Sequence, residues 1–318
     1  MDSSADQECP RSRFLSTFIS FHVNFGRRFF MYRSHSLCLN PAESWGNGHC
    51  ALFIESFGGK GANQALAARQ TGSEVSFIGC TGNDASGDAY RKHFSNYGIN
   101  PDSMVCSSKD PTGSAFLGVD SRGENLIMIN PGANHALRPK HLDQHLALFQ
   151  KASHLLLQLE IAFETIEHAC KLAQKYQIKT IINPSPWHID FNTQRFCCDY
   201  LIVNEYEAAA FFHQEPQSLT PEILEHHQLE TLIITRGAES TIALDKKEGR
   251  IEILPKKVNP IDTVGAGDTF TGAPATSLSE GSPLSQAIHF ANTAAALSTL
   301  TAGAQGANPN KVQIERAL

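Results

Sequence analysis

Beyond residue 134 the chain alternates a short apolar, β-branched run, a polar or proline-containing turn, and apolar residues at helical spacing. The strand-like runs are 155–159, 180–182, 200–203 and 231–235, and the helix-like stretches are 139–151, 163–176, 205–213 and 221–227. Parallel strands need a crossover connection, usually a helix, so this alternation predicts a mostly parallel α/β sheet flanked by helices on both faces. Ligands bind such sheets beyond the carboxyl ends of the strands, which makes the residues just after each run the first functional candidates. Earlier in the chain, 75–79 reads as a strand and 84–97 as a helix, while 112–119 and 125–130 alternate as strands about the turn Ser121-Arg122-Gly123.

Composition removes several function classes. The 318 residues suffice for one large α/β domain or two average ones. With 26 basic and 32 acidic residues the net charge is −6, so no basic excess exists to hold nucleic acid. Eight cysteines lie scattered without a CxxC pair, which argues against a disulfide framework or zinc site. The apolar run 14–21 is too short to cross a bilayer, so no membrane partner is expected. Residues 9–42 hold no acidic residue but include Arg11, Arg13, Arg27, Arg28 and Arg33. Residues 1–40 therefore read as an atypical extension, either a targeting segment or a disordered one.

Two glycine-rich turns each open a helix. In NPIDTVGAGDTFTG, starting at Asn259, the first-turn amides of Gly265, Ala266 and Gly267 could hold an anion. Asp268 would repel that anion unless the chemistry needs a proton acceptor beside it, as a kinase acting on an alcohol does. The other turn, Phe57-Gly58-Gly59-Lys60-Gly61-Ala62-Asn63, reads equally well as a plain strand-to-helix turn or as a binding loop.

Together, in this order, the two stretches resemble the signatures of the ribokinase-like (PfkB) carbohydrate kinases, and the likeness runs from about residue 41 to the C-terminus. It implies one domain over 41–318 with a small β lid from segments 41–57 and 112–130, and ATP-dependent phosphorylation of a sugar hydroxyl. Pro131-Gly132-Ala133-Asn134 and Asn183-Pro184-Ser185-Pro186 resemble the members that convert D-ribose to D-ribose 5-phosphate.

By that resemblance Asp268 is the general base, and Gly265, Ala266 and Gly267 stabilise the transferring phosphate. Gly58, Gly59, Lys60, Asn63 and Glu160 contact the sugar. Asn204, Thr235, Gly237, Glu239, Gly267 and Asn292 bind the nucleotide. Glu207 serves Mg2+ through water, while Asp262, Val264 and Gly303 form a K+ site. Three of these have bland readings as well: Glu160 as a helix N-terminal charge, Asn204 with Glu207 as a capping box, and Gly303 as a helix end. A cytoplasmic homodimer joined through the lid is also implied.

The chain departs from the pattern at three points. The opening strand with its sugar-binding aspartate is not readable around His22-Val23-Asn24-Phe25-Gly26, so the first strand is expected to be missing or altered. Ser240 replaces a common glycine and would be strained at positive φ. Pro274 falls six residues after Asp268, where it should kink the helix. The alternative reading is therefore a catalytically impaired binding relative.

Overall fold

The computed structural model describes residues 17–23, 25–32, 52–119, 125–279 and 281–318. Its first part runs β1 (Thr17–Val23), β2 (Phe25–Tyr32), β3 (Leu52–Gly58), α1 (Lys60–Gln70), β4 (Glu74–Gly82), α2 (Ala85–Asn96), β5 (Val105–Ser107), β6 (Gly113–Val119) and β7 (Asn125–Asn130). There follow α3 (Pro139–Asp143), α4 (Leu146–Phe149), β8 (His154–Leu157), α5 (Phe163–Tyr176), β9 (Lys179–Ile182), β10 (Tyr200–Asn204), α6 (Glu205–Phe212) and α7 (Ile223–His226). The last part is β11 (Thr231–Thr235), β12 (Thr241–Asp245), β13 (Gly249–Ile253), α8 (Ala266–Gly272), α9 (Pro274–Ser279), α10 (Leu284–Ser298) and α11 (Lys311–Ala317).

Among the described residues nine strands form one sheet in the order β13-β12-β11-β10-β9-β8-β1-β4-β5. Pairing is parallel from β5 to β11 and antiparallel only at the β11-β12-β13 edge. That edge hairpin is absent from the sequence reading. The period-two alternation of each strand sorts its side chains to two cores. Leu155, Leu157, Leu201, Val203, Leu232 and Ile234 face one core. Leu156, Ile202 and Ile233 face the other. Helices α3 to α7 cover the first face, and α1, α2, α8, α10 and α11 the second.

A four-stranded sheet, β3-β2-β6-β7, forms the lid. Asp84 ties it down, accepting from the Thr112 hydroxyl at 2.6 Å and amide at 2.7 Å, and from Gly87 N–H at 2.8 Å. Burial opposes ionisation of Asp84, yet these hydrogen bonds prevail and hold its pKa below the ordinary value.

Several expectations are corrected. The first strand is not missing: β1 pairs in parallel with both β4 and β8. Its β-branched and aromatic residues specify a strand whether or not an aspartate follows, and two parallel neighbours supply the hydrogen bonds. With β2 also preceding residue 41, both sheets draw on chain assigned to an extension; the boundary at 40, and Asn24, lie outside the described residues. The helix expected over 139–151 is two pieces, divided at His145, whose backbone leaves the helical region at φ −120°, ψ 26°, just after Asp143 bonds His168 at 2.7 Å. The one expected over 221–227 is a single turn, ended by Gln228 at φ 55°. Pro274 breaks the helix at Ala273 but starts α9, and Ala273 N–H still donates to the Thr269 carbonyl at 3.0 Å. The turn carrying Asp268 is intact. Ser240 is not among the residues at positive φ, so the strain expected there is absent.

Helices α1 and α8 pack unusually close. A Cβ on Gly272 would lie 2.3 Å from the Gln64 carbonyl oxygen and 2.9 Å from Ala67 Cβ. Gly272→Ala should cost about 1–3 kcal/mol, read as a lower denaturant midpoint at unchanged slope.

His154, at the start of β8, is buried, and burial pulls its pKa from 6.5 to about 4, opposed by Asp199 and reinforced by Lys179. The unfolded chain therefore takes up a proton between those values while the fold does not, so stability is full above 6.5 and falls as pH drops toward 4. Urea titrations across that window should show a shallower loss for His154→Gln than for the natural protein.

Candidate active site

Each strand ends where chemistry begins. Asn204 pairs in register with Thr235, so β10 and β11 present both residues at one edge of the sheet. Asn204 caps α6: its side chain accepts from Glu207 N–H at 2.8 Å, and Glu207 Oε2 accepts from Asn204 N–H at 2.9 Å. Beside them α1 and α8 start from glycines in left-handed or extended-positive backbone, Gly59 at φ 109° and Gly265 at φ 83°. A Cβ on Gly265 would also lie 2.7 Å from Ala304 Cβ, so the turn needs glycine twice over.

Asp268 is buried in the first turn of α8 and has a donor on each oxygen. Asn63 Nδ2 donates to Oδ2 at 2.7 Å, and Gln64 Nε2 to Oδ1 at 3.0 Å. Gln64 is itself oriented: its Nε2 also reaches Asn183 Oδ1 at 3.2 Å, its Oε1 accepts from Gln158 Nε2, and Asn183 Nδ2 donates to the Ile202 carbonyl at 2.9 Å. Gln64, Gln158 and Asn183 are thus site residues that sequence reasoning did not assign. Their signal was position, next to a glycine turn or just after a strand.

Two cavities meet here. One, of about 140 Å³, is lined by Lys60, Asn183, Asn204, Glu207, Gly265 and Asp268 among others. The other, of about 690 Å³, runs between β11 to β12 and α10. Thr235 and Gly267 line both, so the cavities share a wall at the helix start.

The sequence-predicted residues divide accordingly. Glu160 Oε2 accepts from Lys60 N–H at 2.9 Å, which joins two of the sugar-side candidates. Gly58 has its carbonyl committed to the Tyr90 hydroxyl at 2.7 Å. Ala266 N–H is committed to the Thr263 carbonyl at 3.2 Å, so it is not offered to an anion in this structure. Gly237 lines the larger cavity at φ 59°, but Glu239 does not: it is exposed and ion-paired with Arg236. Asn292 also lines that cavity, although Thr241 donates to its Oδ1 at 2.8 Å and its Nδ2 donates to the Ile253 carbonyl at 3.2 Å. Its amide is therefore spent on holding β12 and β13 to α10.

Asp262 clamps two loops. Its Oδ1 accepts from Val264 N–H at 2.9 Å and its Oδ2 from Gly303 N–H at 2.8 Å, so the three candidates for the K+ site do converge. Among the described residues no cluster of three His, Cys, Asp or Glu suits a metal ion. Nor is any helix long and apolar enough to cross a membrane.

Comparisons with known proteins identify the family. Residues 39–311 match the pfkB family carbohydrate kinases. The ribokinase of Bacillus subtilis is 36% identical over 268 residues, covering 82% of this chain and 87% of its own. That of Haemophilus influenzae is 36% identical over 261 residues, 80% of this chain and 85% of its own. The crystal structure of a Thermotoga maritima ribokinase superposes with a TM-score of 0.82 at 30% identity, over 95% of this chain and 98% of that one. An Arabidopsis thaliana ribokinase solved with ribose and ATP gives 0.85 at 23% identity over the same shares, a likeness of fold. With the two glycine turns, the strand-end residues and these matches in agreement, the chain belongs to the pfkB family of carbohydrate kinases.

Proposed function

We propose that this protein transfers the γ-phosphoryl group of ATP to the primary hydroxyl of D-ribose, giving D-ribose 5-phosphate. The observation that carries the reading is Asp268, a buried carboxylate with both oxygens oriented by amide donors at the junction of a small polar cavity and a larger one. The small cavity suits a sugar held by Gly59, Lys60, Asn63 and Glu160. The larger one suits a nucleotide laid along Thr235, Gly237 and α10. Asp268 takes the hydroxyl proton as its oxygen attacks phosphorus, and a positioned acceptor of this kind contributes about 10² to 10⁴ in rate. The amide of Gly267, a residue of the cavity wall, would offset charge on the transferring group.

Hard oxygen donors fit the implied cations. Glu207 with Asn204 would hold Mg2+ through water, where the ion would neutralise phosphate charge. The convergence of Asp262, Val264 and Gly303 supports K+ near the helix start, held mainly by carbonyl oxygens. A homodimer joined through the lid is in keeping with strand β7, where Met128 and Ile129 are 53% and 56% exposed.

The test is ATP consumption with Mg2+, K+ and D-ribose. Asp268→Asn should lower kcat by at least about 10²-fold with the KM for ATP little changed. Chelation of Mg2+ should abolish turnover. No turnover with any sugar, from protein shown to be folded, would leave a binding role in place of catalysis. Ala296 lines the larger cavity. Ala296→Trp should raise the KM for ATP about 10-fold while that for ribose stays within about twofold, which would place the nucleotide there.

A further inference from the structure

Three residues beside the base have no part in the reaction so far: Tyr90, His93 and Gln305. Tyr90 is fully buried and Gln305 is 3% exposed, so their polar atoms need partners. Those partners run in one direction. Gly58 ends lid strand β3 with a main-chain carbonyl that can only accept, so the Tyr90 hydroxyl donates to it, at 2.7 Å. The Tyr90 oxygen accepts in turn from Gln305 Nε2 at 2.9 Å. The same nitrogen donates to Asn63 Oδ1 at 2.9 Å, which turns the Asn63 amide nitrogen toward Asp268 Oδ2. Gln305 Oε1 consequently faces His93 Nε2 at 2.8 Å, and the ring must carry its proton on that atom. Burial pushes the His93 pKa down, against the Gln305 hydrogen bond, so the ring is neutral near pH 7 with one N–H to place. Its face stacks on Phe57, with centroids 4.0 Å apart and 20° between the planes. Phe57 and Gly58 are the last two residues of β3.

We infer that Tyr90, His93 and Gln305 are positioning residues that couple the base of the lid to the catalytic carboxylate. The Gly58 carbonyl sets the direction of the amide chain, and that direction decides whether Asp268 Oδ2 meets an N–H or an oxygen. A flipped Gln305 would set its oxygen against Asn63 Oδ1. Relieving that clash by turning Asn63 would put two acceptors face to face at Asp268. The lid, whose strand β3 carries Phe57 and Gly58, thereby bears on the aim of the base before any substrate arrives. The inference rests on Asp268 being the proton acceptor proposed above.

The test compares His93→Leu, which cannot donate, with His93→Gln, whose amide can. Two readouts are taken: steady-state kinetics with ATP and D-ribose, and the Asn63 side-chain NH2 signals in 15N-labelled protein, identified by their loss in Asn63→Asp. His93→Leu should lower kcat by about 10- to 100-fold with the KM for ATP within about twofold, and His93→Gln should recover most of that loss. The Asn63 signals should move in His93→Leu and hold in His93→Gln. Equal losses in both variants, or unmoved Asn63 signals in His93→Leu, overturn the relay. Should His93→Leu not fold, Tyr90→Phe keeps the ring, removes only the hydroxyl, and is read by the same signals. NMR needs no turnover, so a natural protein inactive on every sugar would sink the kinase reading while the Asn63 signals still decided the relay.

Discussion

How closely α8 lies on α1 governs the rest of the site. Helix axes ordinarily stand about 8–10 Å apart, set by the side chains between them. Here Gly272 meets the Gln64 carbonyl and Ala67, residues with little or nothing to interpose. One turn earlier on α8, the same approach brings Asn63 and Gln64 within hydrogen-bond reach of Asp268. Larger residues at the contact would widen the gap and leave the carboxylate without its donors. The packing of small apolar groups is thus what makes the polar arrangement possible.

That arrangement is unusually rich in neutral amides for a buried site. Asn63, Gln64, Gln158, Asn183 and Gln305 are all nine-tenths or more buried. A buried polar group left without a partner costs about 1–3 kcal/mol, so such a network is stable in the orientation that satisfies it and poor in any other. Two main-chain carbonyls, Gly58 and Ile202, anchor the chains at opposite ends. Being fixed acceptors, they decide how the amides between them must face, and both chains end by offering N–H to Asp268. A carboxylate held this way has no rotational search to make when its substrate arrives.

Much of this was legible in the sequence. The strand and helix alternation pointed to the parallel sheet, and the strand-end candidates Asn204 and Thr235 line the smaller cavity. Glycine turns located Asp268 because only a special backbone needs glycine there. What could not be read was side-chain commitment. Asn292 sits at its expected place, yet its amide serves Thr241 and Ile253, and Glu239 turns to Arg236 instead of the cavity. Such choices depend on which partners lie nearest in space: the two that hold Asn292 come from 39 and 51 residues away in the chain, which leaves no local trace. Strand β1 escaped notice for a different reason, because a functional aspartate was sought where a plain alternation of β-forming residues was the true signal. Strands β12 and β13 were missed as short runs between charged turns.

The place of β1 bears on how the molecule assembles. On one side of it stand β4 and β5, and on the other β8 through β13. Among the described residues it is the only bridge between the two groups, so without it each would end in an open parallel edge of unpaired amides and carbonyls. Strand β1 must therefore wait until β8, more than a hundred residues later, offers its second edge. Pairing of such long sequence separation is slow to form. A nascent chain of this kind passes through an interval in which β1 has β4 on one side and an open edge on the other, and what shields that edge during the interval matters to its yield in the cell.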